Sequence, residues 1–185
     1  TIGGKTPIGL CGSGVLDALA VLRGAGLIED SGRLRAGHPD ISEEGGKRAL
    51  VLAPGVTFTQ HDIRAVQLAK SAIRTGVDLL LDQAGIKADD IVHFVIAGAF
   101  GAYIDVRSAI AIGLLPDLPM ERFEQVGNAA GVGIRMMLAS KEVRQRARDL
   151  ALRCRYVELS TKQDFQKAFL LNIGFRQRHK DRREA

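Results

Sequence analysis

The sequence predicts an α/β fold, with an antiparallel strand pair leading into alternating strands and helices. Three stretches carry that reading. Val92 to Ala97 is an apolar run broken only by His93 and rich in β-branched residues, the pattern of a strand buried on both faces. It opens into a loop containing Gly98, Ala99, Phe100 and Gly101. Phe123 to Val126 reads as a further strand and ends in Gly127-Asn128-Ala129-Ala130-Gly131. Between the first strands and these two lies a helical pattern from Thr59 to Gly85. Parallel α/β sheets bind ligands where strands end in such loops, and a missing Cβ lets a flat ligand or phosphate approach the backbone. The same glycines also suit a plain strand-to-helix turn.

Taken in order, Thr1 to Leu10 reads as the end of a strand, and a start at Thr1 rather than Met suggests a fragment. Val15, Leu16, Leu19 and Leu22 then recur at helical spacing, stopped by Gly24 and Gly26. Gly12, Ser13 and Gly14 therefore sit at a helix N-terminus, where free N–H groups and the dipole favour an anion. Ser13 can cap the helix or touch a phosphate oxygen. Asp17, placed in the first turn, would lie near a bound phosphate or its metal. No Gly-Lys-Ser/Thr follows, so this is not a Walker A loop, and an ordinary capped helix fits as well.

Glu29 to Gly46 reads as an exposed loop with one short strand at Arg33 to Arg35. Leu50 to Leu52 and Val56 to Thr59 flank Ala53-Pro54-Gly55, a type II turn joining an antiparallel pair. Thr59 and Asp62 form a capping box for the long helix. Ile63, Val66, Ala69, Ile73, Val77, Leu80, Leu81 and Ala84 give it one apolar stripe, and Gly85 closes it. Arg64, Gln67, Ser71, Arg74 and Asp78 fall toward the other face; Asp62 and Gln67 lie within reach of a site at its start. His61 reads as a surface histidine, with no partner at ligand spacing.

Asp105 caps a helix ending at Gly113, and Pro116 and Pro119 stiffen the connection to the next strand. Helices follow over Val132 to Leu138 and Lys141 to Arg155, then a short strand Tyr156 to Leu159. Ser160 and Gln163 make a capping box for a last helix that packs Phe165, Ala168, Phe169 and Leu171 inward.

Composition narrows the class. The 185 residues are 46% hydrophobic and 25% charged, enough to fill one core. Tryptophan is absent and aromatics are 5%, so that core is aliphatic. No apolar run approaches the ~20 residues of a membrane span, and no signal peptide is evident. The net charge of +5 gathers partly in Arg176 to Ala185, which holds five basic and two acidic residues. That tail reads as a solvated terminus, since the body shows no basic stripe with interleaved aromatics; no nucleic-acid partner is expected. Cys11 and Cys154 are isolated, without a CxxC or Cys/His cluster, so the chain shows no metal site of its own and suits the reducing cytoplasm.

Four stretches carry a family resemblance: Gly9-Leu10-Cys11-Gly12-Ser13-Gly14-Val15-Leu16-Asp17, Gln60-His61-Asp62-Ile63-Arg64-Ala65-Val66-Gln67-Leu68-Ala69-Lys70, Ala97-Gly98-Ala99-Phe100-Gly101-Ala102-Tyr103-Ile104-Asp105 and Val126-Gly127-Asn128-Ala129-Ala130-Gly131. Together, from about Gly9 to Phe169, they resemble the C-terminal ASKHA lobe of reductive activators of corrinoid proteins. ASKHA groups acetate and sugar kinases, heat-shock chaperones and actin. The resemblance implies a ribonuclease-H-like lobe over residues 1–175, a mixed sheet with helices on both faces, followed by the tail 176–185. It implies ATP with Mg as ligand, and a 2Fe–2S cluster in an N-terminal domain outside this chain. It further implies ATP-driven reduction of a Co(II) corrinoid protein of a methyltransferase system to Co(I). Gly12, Ser13 and Gly14 would form the second phosphate loop, and Gly98, Ala99, Phe100 and Gly101 the adenosine loop. Asn128 and Gly131 would line a nearby wall, with Asp17 as the metal-side carboxylate. A homodimer is compatible. The alternatives are an ATP-silent docking module for a metalloprotein, and an ASKHA activator of another enzyme.

Overall fold

The computed structural model describes residues 2–159 and 163–175. Helix α1 runs Gly12–Gly24. Strands β1 (Ile41–Glu44), β2 (Lys47–Ala53) and β3 (Val56–Thr59) form an antiparallel sheet. Helix α2 spans Gln60–Ala84. Strand β4 (Phe94–Ala97) pairs in parallel with β5 (Phe123–Gly127) across α3 (Val106–Ala111). Helices α4 (Ala129–Ala139), α5 (Lys141–Arg153) and α6 (Gln163–Ile173) complete the described chain. The α/β class therefore holds, with antiparallel and parallel pairing divided between two sheets.

The core lies between α1, the antiparallel sheet, the start of α2, and α3. Leu16, Leu19 and Leu22 fall on one face of α1 and are buried beside Ile28, Leu34, Ile41, Leu50, Phe58, Ile63 and Ala109. The apolar spacing that predicted α1 is the spacing it buries.

Other local signals also hold. Thr59 and Asp62 make a reciprocal capping box, and Gly85 ends α2 in a left-handed conformation. The Pro54-Gly55 turn joins β2 to β3. The Asp105 carboxylate accepts from the Ser108 N–H at 2.8 Å to start α3.

Several expectations are corrected. Residues 2–4 form a 3-10 turn, not a strand. The stretch 28–46 contains β1 and, in place of the strand expected at Arg33 to Arg35, an isolated Ile28–Leu34 bridge, and it sends Leu34 and Ile41 into the core. Residues 154–159 form no strand and pair with none of the described strands. The β4 strand is not buried on both faces: Phe94 and Ile96 pack against the core, while Val95 between them is 53% exposed, since side chains alternate along a strand. In α6, Leu171 is exposed rather than inward. The capping box expected from Ser160 and Gln163 and the tail 176–185 lie outside the described residues.

The largest correction concerns α2. Its buried residues are Ile63, Gln67, Lys70, Ser71 and Thr75, while Ile73 and Leu80 are exposed. Helix α6 supplies the reason. Gln67 Nε2 donates to the Ile173 carbonyl at 3.1 Å, the Lys70 ammonium to Gly174, and the Ser71 hydroxyl to Phe169. Asn172 Nδ2 donates to both Thr75 and Asp78 at 3.1 Å. The buried face is chosen by a row of hydrogen bonds rather than by apolarity. Burial pushes the Lys70 amine down to about 8, with its ammonium 5.1 Å from the centre of the buried Phe175 ring.

Candidate functional site

The three glycine loops, 12–14, 98–101 and 127–131, meet. β4 and β5 run in parallel with Ala97 opposite Gly127, so both strands deliver their loops at the same sheet end. The Gly98 N–H donates to the Gly127 carbonyl at 2.7 Å, tying the second loop to the third. Gly98 has φ +100, and a Cβ there would meet nothing within 4 Å. The backbone is thus bare toward open space, in a conformation suited to glycine.

The first loop joins through Phe100. A Cβ on Gly12 would fall 2.6 Å from Phe100 Cε2, so the ring lies directly on the Gly12 backbone. Phe100 stays half exposed, and Tyr103 is more exposed still. Gly101 is packed differently: a Cβ would fall 2.6 Å from Ile96 Cγ2. Its carbonyl accepts from Gln125 Nε2 at 2.6 Å, and the same amide reaches Ile104 at 2.8 Å. Gln125 fixes the loop's return path, a role that no local pattern in the sequence announces.

Two helices start from these loops, α1 at Gly12 and α4 at Ala129. At α4, Asn128 is the N-cap and its Oδ1 accepts from the Gly131 N–H at 2.9 Å. A side chain at Gly131 would strike the Asn128 amide, so Asn128 and Gly131 act first on each other. At α1 the cap is Cys11, not Ser13: its Sγ accepts from the Gly14 N–H and contacts the Ser13 hydroxyl, both at 3.4 Å. The Ser13 hydroxyl, then the Gly14 N–H, hold the exposed Cys11 thiol below its ordinary range. Gly12, Ser13 and Gly14 are the first helical turn itself, with N–H groups that have no intrahelical acceptor.

Asp17 lies in the second turn rather than the first, since α1 starts at Gly12. It shares a helix face with Ser13 and Gly14 by i, i+4 and i, i+3 spacing. Its Oδ1 is enclosed without a hydrogen-bond partner among the described residues. Such an orphan acceptor suits a cation or a donor brought by a ligand. The long-helix residues are used elsewhere: Asp62 is held by Thr59, and Gln67 is 1% exposed under α6.

No group of three or more His, Cys, Asp or Glu side chains among the described residues is arranged to hold a metal ion. The chain has two cysteines, both free, so its donor set does not fit a four-cysteine cluster. No described helix is long and apolar enough to cross a membrane.

Fold and loop junction together define an α/β lobe of the ASKHA type. The family model described as the C-terminal domain of RACo, the ASKHA domain, matches residues 1–184. The chain belongs to this family. It is 38% identical to the corrinoid activation enzyme RamQ of Eubacterium limosum, over 94% of this chain and 32% of that protein. It is 26% identical to the Co(II) methylated amine-specific corrinoid protein reductase of Methanosarcina barkeri, over 93% of this chain and 30% of that protein. Among solved structures, the reductive activator for corrinoid, iron-sulfur protein superposes with a TM-score of 0.82 at 34% identity. That match covers 92% of this chain and 29% of that one. The chain thus spans about a third of the length of the relatives it matches.

Proposed function

We propose that this domain, residues 1–175, supplies one wall of the nucleotide cleft in a reductive activator. That activator uses ATP to drive a Co(II) corrinoid protein of a methyltransferase system to Co(I). The names of the relatives support the corrinoid partner. The observation that carries the nucleotide half is the loop junction, where Phe100 lies on Gly12 and Gly98 bonds Gly127.

The residues present fit a nucleotide. Gly12 and Ser13 would present N–H groups to phosphate oxygens, while the Gly14 N–H, held by the Cys11 Sγ, fixes the same turn. The bare Gly98 backbone and the exposed Phe100 ring suit a flat base. Asp17 would meet Mg or a metal-bound water. ATP would supply the free energy, and the lobe's part is to bind it differently in two arrangements of the whole protein. A nucleotide shifts such an equilibrium only by its difference in affinity for the two. The 2Fe–2S cluster belongs to a part of the protein outside this chain, and the setting proposed is the cytoplasm.

A second reading has its own observation. Neither α4 nor α5 contains a buried residue, and Ile134, Met136, Leu138 and Leu152 are exposed. Such a surface suits a module that docks a metalloprotein without using ATP.

One experiment separates them. The protein at its relatives' full length is mixed with a Co(II) corrinoid protein, a chemical reductant and Mg·ATP, and the Co(I) absorbance is followed. The expected result is Co(I) formation that needs ATP and is lost in Gly98→Val with the fold retained. Activation by Gly98→Val equal to the parent would favour the docking module. No ATP dependence with several corrinoid partners would overturn the first reading.

A further inference from the structure

A concavity of about 850 Å³ lies between the loop 31–33, the β1–β2 hairpin and the first turns of α2. Its size falls in the range of small-molecule sites, ~300–1,000 Å³. None of its lining residues belongs to the glycine loops.

Its chemistry is one-sided. Arg33, Lys47, Arg48 and Arg64 line it against a single carboxylate, Glu43. That carboxylate is already taken, by Arg48 Nε at 3.2 Å, and Arg48 also donates to the Leu34 carbonyl at 2.8 Å. Arg33, Lys47 and Arg64 have no hydrogen bond or ion pair from their side chains among the described residues. Like charges round one concavity repel each other and raise the local concentration of anions.

The floor is built rather than loose. Gly32 is buried with φ +88, and a Cβ there would fall 2.3 Å from Gln67 Nε2. Gln67 Nε2 donates to the Ser31 carbonyl at 3.0 Å. Gln60 Nε2 donates to the Gly32 carbonyl at 2.8 Å, and Gln60 Oε1 accepts from the Leu34 N–H at the same distance. Two glutamines of α2 thus clamp the loop that forms one side of the pocket.

We propose that this pocket binds a doubly charged oxyanion, phosphate or a phosphate monoester, through Arg33, Lys47 and Arg64. Arginine forks match phosphate oxygens in pairs, and lysine adds a point charge. The site is independent of the nucleotide reading above and goes beyond it.

Titration calorimetry on the 185-residue chain at low salt tests this with inorganic phosphate and with phenyl phosphate. Saturable binding is expected, weakened by about tenfold or more in both Arg64→Ala and Lys47→Ala. Both side chains are exposed, so unchanged melting temperatures are expected and confirm an intact fold. Equal affinity for the two probes identifies free phosphate as the ligand; a gain of about tenfold for the ester identifies an esterified one. Either outcome supports the site. Absence of saturation, or binding unmoved by both variants, overturns it. Loss of binding in Gly98→Val equal to that in Arg64→Ala also overturns it, by placing the anion at the glycine loops. Because the readout is heat of binding, it fails or succeeds separately from ATP-dependent Co(I) formation.

Discussion

Helices α1 and α2 bury opposite kinds of surface. In α1 the buried face is Leu16, Leu19 and Leu22, and its partners are aliphatic. In α2, beyond Ile63, it is Gln67, Lys70, Ser71 and Thr75, and its partners are carbonyls and the Asn172 amide of the last helix. Transfer of aliphatic surface from water decides the first orientation. In the second, an unmade hydrogen bond costs more than an exposed methyl group gains. An apolar stripe predicts a helix's inner face only where the neighbour is apolar as well.

The contrast is sharpest in stability. Leu19→Ala, at a position with 0% exposure, is expected to cost about 2–5 kcal/mol in urea unfolding, since the cavity adds to the lost transfer energy. Loss below about 1 kcal/mol would mean that α1 is packed less tightly than its burial implies. Gln67→Leu replaces an amide by an aliphatic of similar size and strands the Ser31 and Ile173 carbonyls. A destabilisation of about 1–3 kcal/mol is expected; a stabilised Gln67→Leu protein would break the claim that hydrogen bonds orient α2.

Lys70 gives the same claim a pH signature. Its folded value of about 8 lies below the ordinary 10.5, so the unfolded chain holds the proton more firmly between those values. Stability from this group is then lowest below pH 8 and rises as the pH climbs toward 10.5. Lys70→Met removes that rise; identical slopes in parent and variant would show that the ammonium is solvated. Asp62 acts with the opposite sign. Bonds from the Thr59 hydroxyl and N–H hold its carboxyl below the usual range, so its contribution is present above that range and lost as the pH falls through the lowered value. Asp62→Ala is expected to cost about 1 kcal/mol near neutrality and to flatten the acid limb of the stability curve. The smallest effect belongs to the outer face of α2: Ile73→Ser, at 53% exposure, should stay within about 0.5 kcal/mol of the parent.

What was legible in the sequence was mostly local. The Thr59–Asp62 box, the Pro54-Gly55 turn, the Asp105 cap and the Gly85 stop each depend on residues within four positions of one another. Strands that need a distant partner were less readable. Ile41–Glu44 has one apolar residue yet pairs with β2, whereas Tyr156 to Leu159 looks β-prone and pairs with nothing among the described residues. At the site, three glycine loops could be placed at strand or helix ends, but their meeting depends on contacts across long stretches of chain. Phe100 lies on Gly12, and Gly98 reaches Gly127. Cys11 was hidden as a cap because a thiol is a poor acceptor beside the Ser13 two residues on.

The bond from the Gly98 amide to the Gly127 carbonyl has a use apart from architecture. A proton held in a short bond between two loops exchanges with deuterated solvent only when those loops separate. The Gly98 amide is therefore an isotopic clock for opening of the strand ends, and it needs no label beyond the solvent. Its exchange rate, read in the free chain and again with a nucleotide present, reports how often the loops part without any corrinoid protein in the tube.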